Sequence, residues 1–209
     1  FISDQWIPEI RIIGNQLVSP GSAAYLIDLV EQLERTNSSI KVIEVTNAFR
    51  TPEKQTSIMM GYPGGDSALK RLYGRSGERI DAFIRAKNTG GQSAAVAVVR
   101  EYASKGMFFS KHQKALGIDL RTKNFTTEQI LQLMAAVRAT GGAPLFEPLK
   151  CSQGRGGQVP TQRFWHNEHL HIGCPQSYAS TTTADLQSMV DARNGDTANE
   201  DLDLLADAG

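Results

Sequence analysis

The sequence predicts an α+β fold in which a small antiparallel sheet is flanked by helices. Three segments support this prediction. In residues 21–36 apolar side chains recur at steps of three and four, which is the period of a helix. Residues 40–48 are rich in β-branched side chains and are typical of a strand. Residues 116–120 are apolar and contain a glycine, which indicates a second short strand. Strands and helices therefore alternate irregularly along the chain.

The composition is that of an ordinary globular protein of 209 residues, long enough for one domain with a proper core. Lys and Arg together number 22, as do Asp and Glu, so overall charge does not favour nucleic acid or an anionic membrane as a partner. No apolar run approaches the ~18 residues of a membrane span. The chain opens at Phe1 without Met, so we expect a leader or upstream region to have been removed, and an additional domain or partner could join through the termini.

The first half of the chain contains three predicted elements. Pro20 opens a helix that ends near Asn37. Phe49-Arg50-Thr51 directly follow the strand predicted at 40–48. Pro52 then suits the first turn of a short helix that reaches Met60. Residues 61–91 are rich in glycine and in charges of both signs, with short helical pieces, and we interpret about 61–105 as an insertion or lid that is not part of the core.

The second half contains a further series of elements. Residues 92–105 predict a helix ended by Gly106, and residues 126–140 predict another, with Thr126 as its N-cap. Residues 164–173 are expected to form a loop that leads into a final strand. A helix follows near residues 183–193 and then an acidic, flexible end. The predicted division is a main domain over 1–178 and a C-terminal helix and tail over 179–209.

The histidines carry the strongest functional signal. The chain has four, and three of them fall within six residues: His112 stands alone, and His166, His169 and His171 form a cluster that also contains Glu168. Asp119 follows His112 by seven residues. Two neutral imidazoles and one carboxylate suit zinc and leave a coordination position open for water. If residues 169–172 are extended, His169 and His171 point to the same face, and Gly117 eases a close return of the chain from His112 to Asp119.

Ser110-Lys111-His112, Gly117-Ile118-Asp119 and His169-Leu170-His171 together resemble the LAS metallopeptidases, which include lysostaphin-type endopeptidases, D-alanyl-D-alanine carboxypeptidases and the hedgehog signalling domain. The resemblance implies one zinc ion held by His112, Asp119 and His171 on the sheet of the predicted fold. The sequence departs from the family in two respects: a glycine and an alanine of the usual pattern are exchanged, as Ala115 and Gly117, and the segment 61–105 is longer than expected of a minimal member. Without the resemblance, His112 and Asp119 are also compatible with unrelated surface positions, and His171 with a core histidine.

Two further similarities concern the substrate cleft. Phe49-Arg50-Thr51 and Gln55 resemble the carboxypeptidase branch, and the run from His166 to Cys174-Pro175 resembles the penicillin-insensitive murein endopeptidases. These similarities imply Glu168 or His169 as the catalytic base. They also imply substrate contacts from a second set of residues: Arg50, Gln55, Ser110 and His166. The alternatives are a solvated Glu168, structural roles for His166 and His169, and an ion pair of Arg50 with a carboxylate such as Glu44.

The function implied is that of a zinc-dependent peptidoglycan peptidase, more specifically a D-amino-acid-specific endopeptidase that acts on cell-wall peptides in the periplasm or outside the cell. The alternatives are a carboxypeptidase that trims stem peptides, an amidase, and a catalytically silent zinc-containing cell-wall-binding module. Cys151 and Cys174 are either two buried thiols or one disulfide, which would constrain the unfolded chain by ~3 kcal/mol and indicate an oxidising compartment.

Overall fold

The computed structural model of the chain describes residues 9–74, 77–146 and 169–206, with the backbone alone at 145–146 and 196–206. Over these residues the chain is an α+β protein with six helices and a five-stranded mixed sheet, as the sequence predicts in outline. The helices are α1 Pro20–Arg35, α2 Pro52–Met60, α3 Gly65–Tyr73, α4 Glu78–Ser104, α5 Thr127–Ala139 and α6 Thr183–Ala206. The strands are β1 Ile10–Ile12, β2 Ile43–Asn47, β3 Gly117–Arg121, β4 Ala143–Phe146 and β5 His169–Gly173.

The order of strands across the sheet is β1-β2-β3-β5-β4. The pairs β2–β3 and β4–β5 are antiparallel, but β1 and β2 run parallel, so the prediction of an antiparallel sheet is wrong for this pair. The reason is the connection. Helix α1 lies between β1 and β2 in the chain, and a helical crossover allows two neighbouring strands to run in the same direction.

The two faces of the sheet differ in polarity. One face is apolar and fully buried, with side chains contributed by four strands: Ile10, Ile12, Ile43, Val45, Ile118, Leu120, Leu170 and Ile172. Helices α1 and α5 also contribute buried apolar side chains, such as Leu26, Leu29 and Leu133. Because side chains alternate along a strand, the residues between the buried ones lie on the opposite face, and these are charged or polar.

The ends of the two helices α1 and α5 confirm the sequence prediction. Ser19 caps α1 by accepting a hydrogen bond from the backbone N–H of Ser22, and Pro20 occupies the first turn. Thr126 caps α5 in a capping box with Gln129, so each side chain satisfies a backbone N–H of the other residue. Both helices therefore begin where their local sequence places them.

Strands β1 and β4 were not predicted, for two separate reasons. β1 has only three residues, which is too short for an alternating pattern. β4 contains Pro144, which lacks the backbone N–H of a central strand. It is tolerated because β4 lies at the edge of the sheet.

The chain divides into two compact groups, one formed by residues 1–48 with 118–209 and the other by residues 49–117. The second group has a hydrophobic core of its own: Met59, Leu69, Ile80, Phe83, Ile84, Ala95, Val99 and Phe109. Residues 61–105, interpreted from the sequence as an insertion or lid, thus contribute to a core within residues 49–117, and their role as an insertion stays a prediction. Glycine content obscured the apolar positions of α3 and α4, which are spaced for burial.

Helix α4 is interrupted within this second group. Gly91 has φ 66° and ψ −151°, a backbone conformation that residues with a Cβ atom rarely adopt. The break separates residues 78–90 from 92–104, and the second part coincides with the helix predicted at 92–105. Helix α6 begins where expected, at Thr183, and extends beyond the predicted end at Arg193. No helix in the described ranges is long and apolar enough to cross a membrane.

Candidate metal centre

His112 lies in a short 3₁₀ turn, Lys111–Lys114, and its side chain is 1% exposed. Ser110 caps the turn: its Oγ accepts a hydrogen bond from the His112 backbone N–H at 3.3 Å. The His112 carbonyl accepts a hydrogen bond from the Arg50 backbone N–H at 3.2 Å. These contacts fix the backbone of His112 from both sides and bring Arg50 beside it.

The chain turns back sharply between His112 and the next strand. Ala115 has φ 58°, in the left-handed region that favours glycine. Two residues later, a Cβ atom on Gly117 would lie 2.5 Å from the backbone nitrogen of His112. Only a glycine permits this approach, so the expectation that Gly117 allows a close return is confirmed.

Asp119 lies in β3 and is 4% exposed. Its Oδ1 is 2.8 Å from Nδ1 of His171. Its Oδ2 accepts a hydrogen bond at 3.1 Å from the side-chain Nδ2 of Asn47, the last residue of β2. Thr46 donates through its hydroxyl to the Asp119 carbonyl at 3.2 Å. Both oxygens of the carboxylate are thus oriented by neighbouring strands.

Together, His112, Asp119 and His171 form a group that could hold a metal ion. One ligand atom from each lies within 4.8 Å of the others. His112 and Asp119 are buried and His171 is partly buried. Two imidazoles and one carboxylate are the donor set of many catalytic zinc sites. The residues present therefore fit zinc, and they are the three that the sequence predicts.

His169 lies two residues before His171 in β5. Leu170 and Ile172 are fully buried, while both histidines are partly exposed. This alternation confirms the expectation that His169 and His171 point to the same face of the strand. His169 is thus placed beside the candidate metal ligands, on the side of the sheet opposite to the apolar core.

The other predicted site residues have different surroundings. Gln55 is fully buried in α2, where its Nε2 donates to the hydroxyl of Tyr73 at 3.0 Å. Ser110 caps the His112 turn, as described above. Glu44, the alternative partner of Arg50, accepts hydrogen bonds from Arg11 and Arg121. For Arg50, Gln55 and Ser110, contact with a substrate stays a prediction.

Three predicted positions lie outside the described residues: Cys151, His166 and Glu168. Cys174 is buried directly after β5. The disulfide between Cys151 and Cys174 therefore stays a prediction, as do the roles of His166 and Glu168.

Asn47 was missed by the sequence interpretation. Asparagine is not one of the histidine and carboxylate residues from which the metal site was predicted, and Asn47 contacts Asp119 because β2 pairs with β3. A polar residue at the end of a strand was the available signal, but such residues are common. A hydrogen bond to a ligating carboxylate holds the carboxylate in its binding orientation.

We expect Asn47→Ala to weaken zinc binding about 10- to 100-fold, the usual effect of losing an outer-shell hydrogen bond. Competition with a chromophoric chelator measures this affinity. Asn88→Ala is a matched control, because Asn88 makes an equivalent 3.1 Å hydrogen bond to a carboxylate, that of Asp66, on an exposed helix surface. Equal zinc affinities in the two variants would show that Asn47 does not orient Asp119.

No protein-family model, curated protein or solved structure matches this chain in the comparisons made. The geometry of the site and the motifs in the sequence are therefore the basis for a functional proposal.

Proposed function

We propose that the protein is a zinc-dependent peptidase that hydrolyses amide bonds in peptidoglycan peptides. The observation that carries the proposal is the buried group of His112, Asp119 and His171, with His169 on the same face of β5. Two histidines and one carboxylate, with a further imidazole beside them, are the set of groups that amide hydrolysis by a zinc enzyme needs.

Each residue has a part in this scheme. His112, Asp119 and His171 would hold the zinc ion, which would supply Lewis-acid chemistry toward water and the amide carbonyl when bound. Asn47 and the strand pairing keep the Asp119 carboxylate in place. His169 has an imidazole nitrogen that can accept a proton from the attacking water or donate a hydrogen bond to the carbonyl oxygen of the substrate. Glu168 is the second candidate for the base.

The substrate class rests on the resemblance to the LAS metallopeptidases. Within that class, the His166 to Pro175 run favours an endopeptidase that cuts cross-links between D-amino acids. A carboxypeptidase is the second candidate, and one observation favours it: Arg50 donates its backbone N–H to the carbonyl of His112. From there a guanidinium can bind the C-terminal carboxylate of a peptide with two parallel hydrogen bonds. Either activity places the protein in the periplasm or outside the cell.

Digestion of purified peptidoglycan with the zinc-loaded protein tests the proposal. Mass spectrometry of the soluble products identifies the new termini. Cleaved cross-links indicate the endopeptidase, and release of single C-terminal residues indicates the carboxypeptidase. Separation of sugar from peptide would instead identify an amidase. If the protein binds peptidoglycan and zinc but releases no fragment, it is a cell-wall-binding module and the peptidase proposal fails.

Replacement of the two candidate bases separates their roles. We expect Glu168→Gln and His169→Ala each to retain zinc, because the ligands predicted from the sequence are His112, Asp119 and His171. The variant that lacks the true base should turn over about 10²-fold more slowly or worse. Single-turnover kinetics on a cross-linked peptide measures the chemical step, and zinc content by mass spectrometry is the control in each preparation. Full activity in both variants would remove these residues from the mechanism.

A further inference from the structure

The polar face of the sheet carries two rows of side chains that run across the strands. The first row consists of His171, Asp119 and Asn47, linked by contacts of 2.8 and 3.1 Å. The second row begins two residues further along β3, at Arg121. Residues two apart in a strand point to the same face, about 7 Å from one another, so the second row lies directly beside the candidate metal ligands.

The second row is built from three adjacent strands. Arg121 donates from Nη1 to Oε2 of Glu44 at 3.3 Å, and Arg11 donates from Nη1 to Oε1 of the same carboxylate at 3.0 Å. Strand register supports the arrangement, because Arg11 pairs with Glu44 and Leu120 pairs with Val45. Glu44 thus holds two arginines in one line across the sheet.

Within the described part of the chain, Arg11 and Arg121 both pair with Glu44. The three side chains of this row together carry one net positive charge. The arginine side chains are also accessible: those of Arg11 and Arg121 are 62% and 43% exposed, while that of Glu44 is 24% exposed. Exposed ion pairs add little to folding stability, with a median of about 0–1 kcal/mol. Stability alone therefore gives little reason for a second arginine on Glu44.

We propose that Arg121, supported by Arg11 and oriented by Glu44, binds a carboxylate of the substrate about two residues away from the amide bond that is cleaved. This inference rests on the proposed function and adds a specificity for acidic peptides. A guanidinium has five N–H donors in a planar fork that matches a carboxylate, and the Glu44 contact described for Arg121 uses Nη1. The separation of two residues between the carboxylate and the cleaved amide follows from the spacing of the two rows on β3. The rows are about 7 Å apart, and an extended peptide also advances about 7 Å in two residues.

Paired peptides test this specificity. One peptide carries a free carboxylate two residues from the scissile amide, and its partner carries a carboxamide at the same position. We expect Arg121→Gln to raise KM roughly 10-fold for the acidic peptide, the effect of one exposed charge-assisted hydrogen bond. KM for the carboxamide and kcat for both peptides should stay unchanged. Arg138→Gln is the matched control, because Arg138 is an exposed arginine on α5.

Substitution of Glu44 is expected to affect KM for the acidic peptide differently from Arg121→Gln. Glu44→Gln keeps one side-chain oxygen that can accept a hydrogen bond from Arg121, and it raises the net charge of the row from one to two. KM for the acidic peptide should therefore not increase, and its dependence on salt should become steeper. If Arg121→Gln changes KM equally for both peptides, or not at all, the carboxylate site is wrong.

Binding measurements distinguish this inference from the proposed function. Calorimetric titration of the intact protein with versions of both peptides that carry a non-hydrolysable isostere of the scissile amide reports affinity without cleavage, and a separate assay of the original peptides reports cleavage. If neither peptide is cleaved but the acidic one binds more tightly, and Arg121→Gln removes the difference, the carboxylate site stands and the peptidase proposal fails. If both peptides are cleaved and bind equally well, the peptidase proposal stands and the carboxylate site fails.

Discussion

Under the proposed function, the His112→Ala protein is expected to lose zinc and amide hydrolysis together. His112 is one of three candidate ligands, and its removal leaves Asp119 and His171, too few to hold zinc in a catalytic site with three protein ligands. The loss of affinity should exceed the roughly 10- to 100-fold that follows from changing an outer-shell residue. Zinc content by mass spectrometry and turnover on peptidoglycan measure the two effects in the same preparation.

Two controls make this result interpretable. Lys111→Ala changes an exposed residue in the same turn and should retain both zinc and activity. His112→Asn keeps a polar side chain in the buried position, so it separates metal loss from misfolding when circular dichroism shows native secondary structure. A folded, zinc-free His112 variant that still cleaves peptidoglycan would contradict the zinc mechanism.

Gly117→Ala is expected to destabilise the protein by about 1–3 kcal/mol, the usual range for inserting an atom into a filled space. The new Cβ would lie 2.5 Å from the backbone nitrogen of His112 and 2.9 Å from the carbonyl carbon of Lys111. Backbone atoms cannot rotate aside as a side chain can, so the turn that carries His112 must shift. Zinc affinity should therefore fall as well. Urea denaturation without zinc measures the free energy of unfolding, and chelator competition measures the affinity.

Ala115→Gly is the matched variant with the opposite expectation. Ala115 has φ 58°, which costs an L residue roughly 1–2 kcal/mol. Glycine removes this strain but gives the unfolded chain about 0.4–1 kcal/mol more conformational entropy. The net effect should be a small stabilisation, of the order of 0.5–1 kcal/mol. If both variants destabilise equally, the turn between His112 and Asp119 does not have the described geometry.

Patterns in the sequence were sufficient to predict several features of the structure. Helix α1 follows from its apolar period and Pro20, and α5 follows from its period and the Thr126 cap. The three candidate ligands were predicted because the chain has only four histidines, and because His112, Asp119 and His169-Leu170-His171 together resemble the motif of the LAS metallopeptidases. The two helices depend on residues near one another in the chain, because the side-chain period of each element is fixed by its backbone geometry, whereas the ligand group was predicted from a motif whose parts lie up to 59 residues apart.

Other features depended on which strands become neighbours. The parallel pairing of β1 with β2, the hydrogen bond from Asn47 to Asp119 and the line of Arg11, Glu44 and Arg121 all join residues at least 30 positions apart. The hydrophobic core within residues 49–117 likewise combines apolar side chains from separate helices. No local pattern encodes such pairings, because they are selected by the burial of apolar surface over the whole chain and by the register that this burial imposes. The sequence by itself therefore determined the ligands of the candidate metal site, and the tertiary structure decided which polar residues surround them.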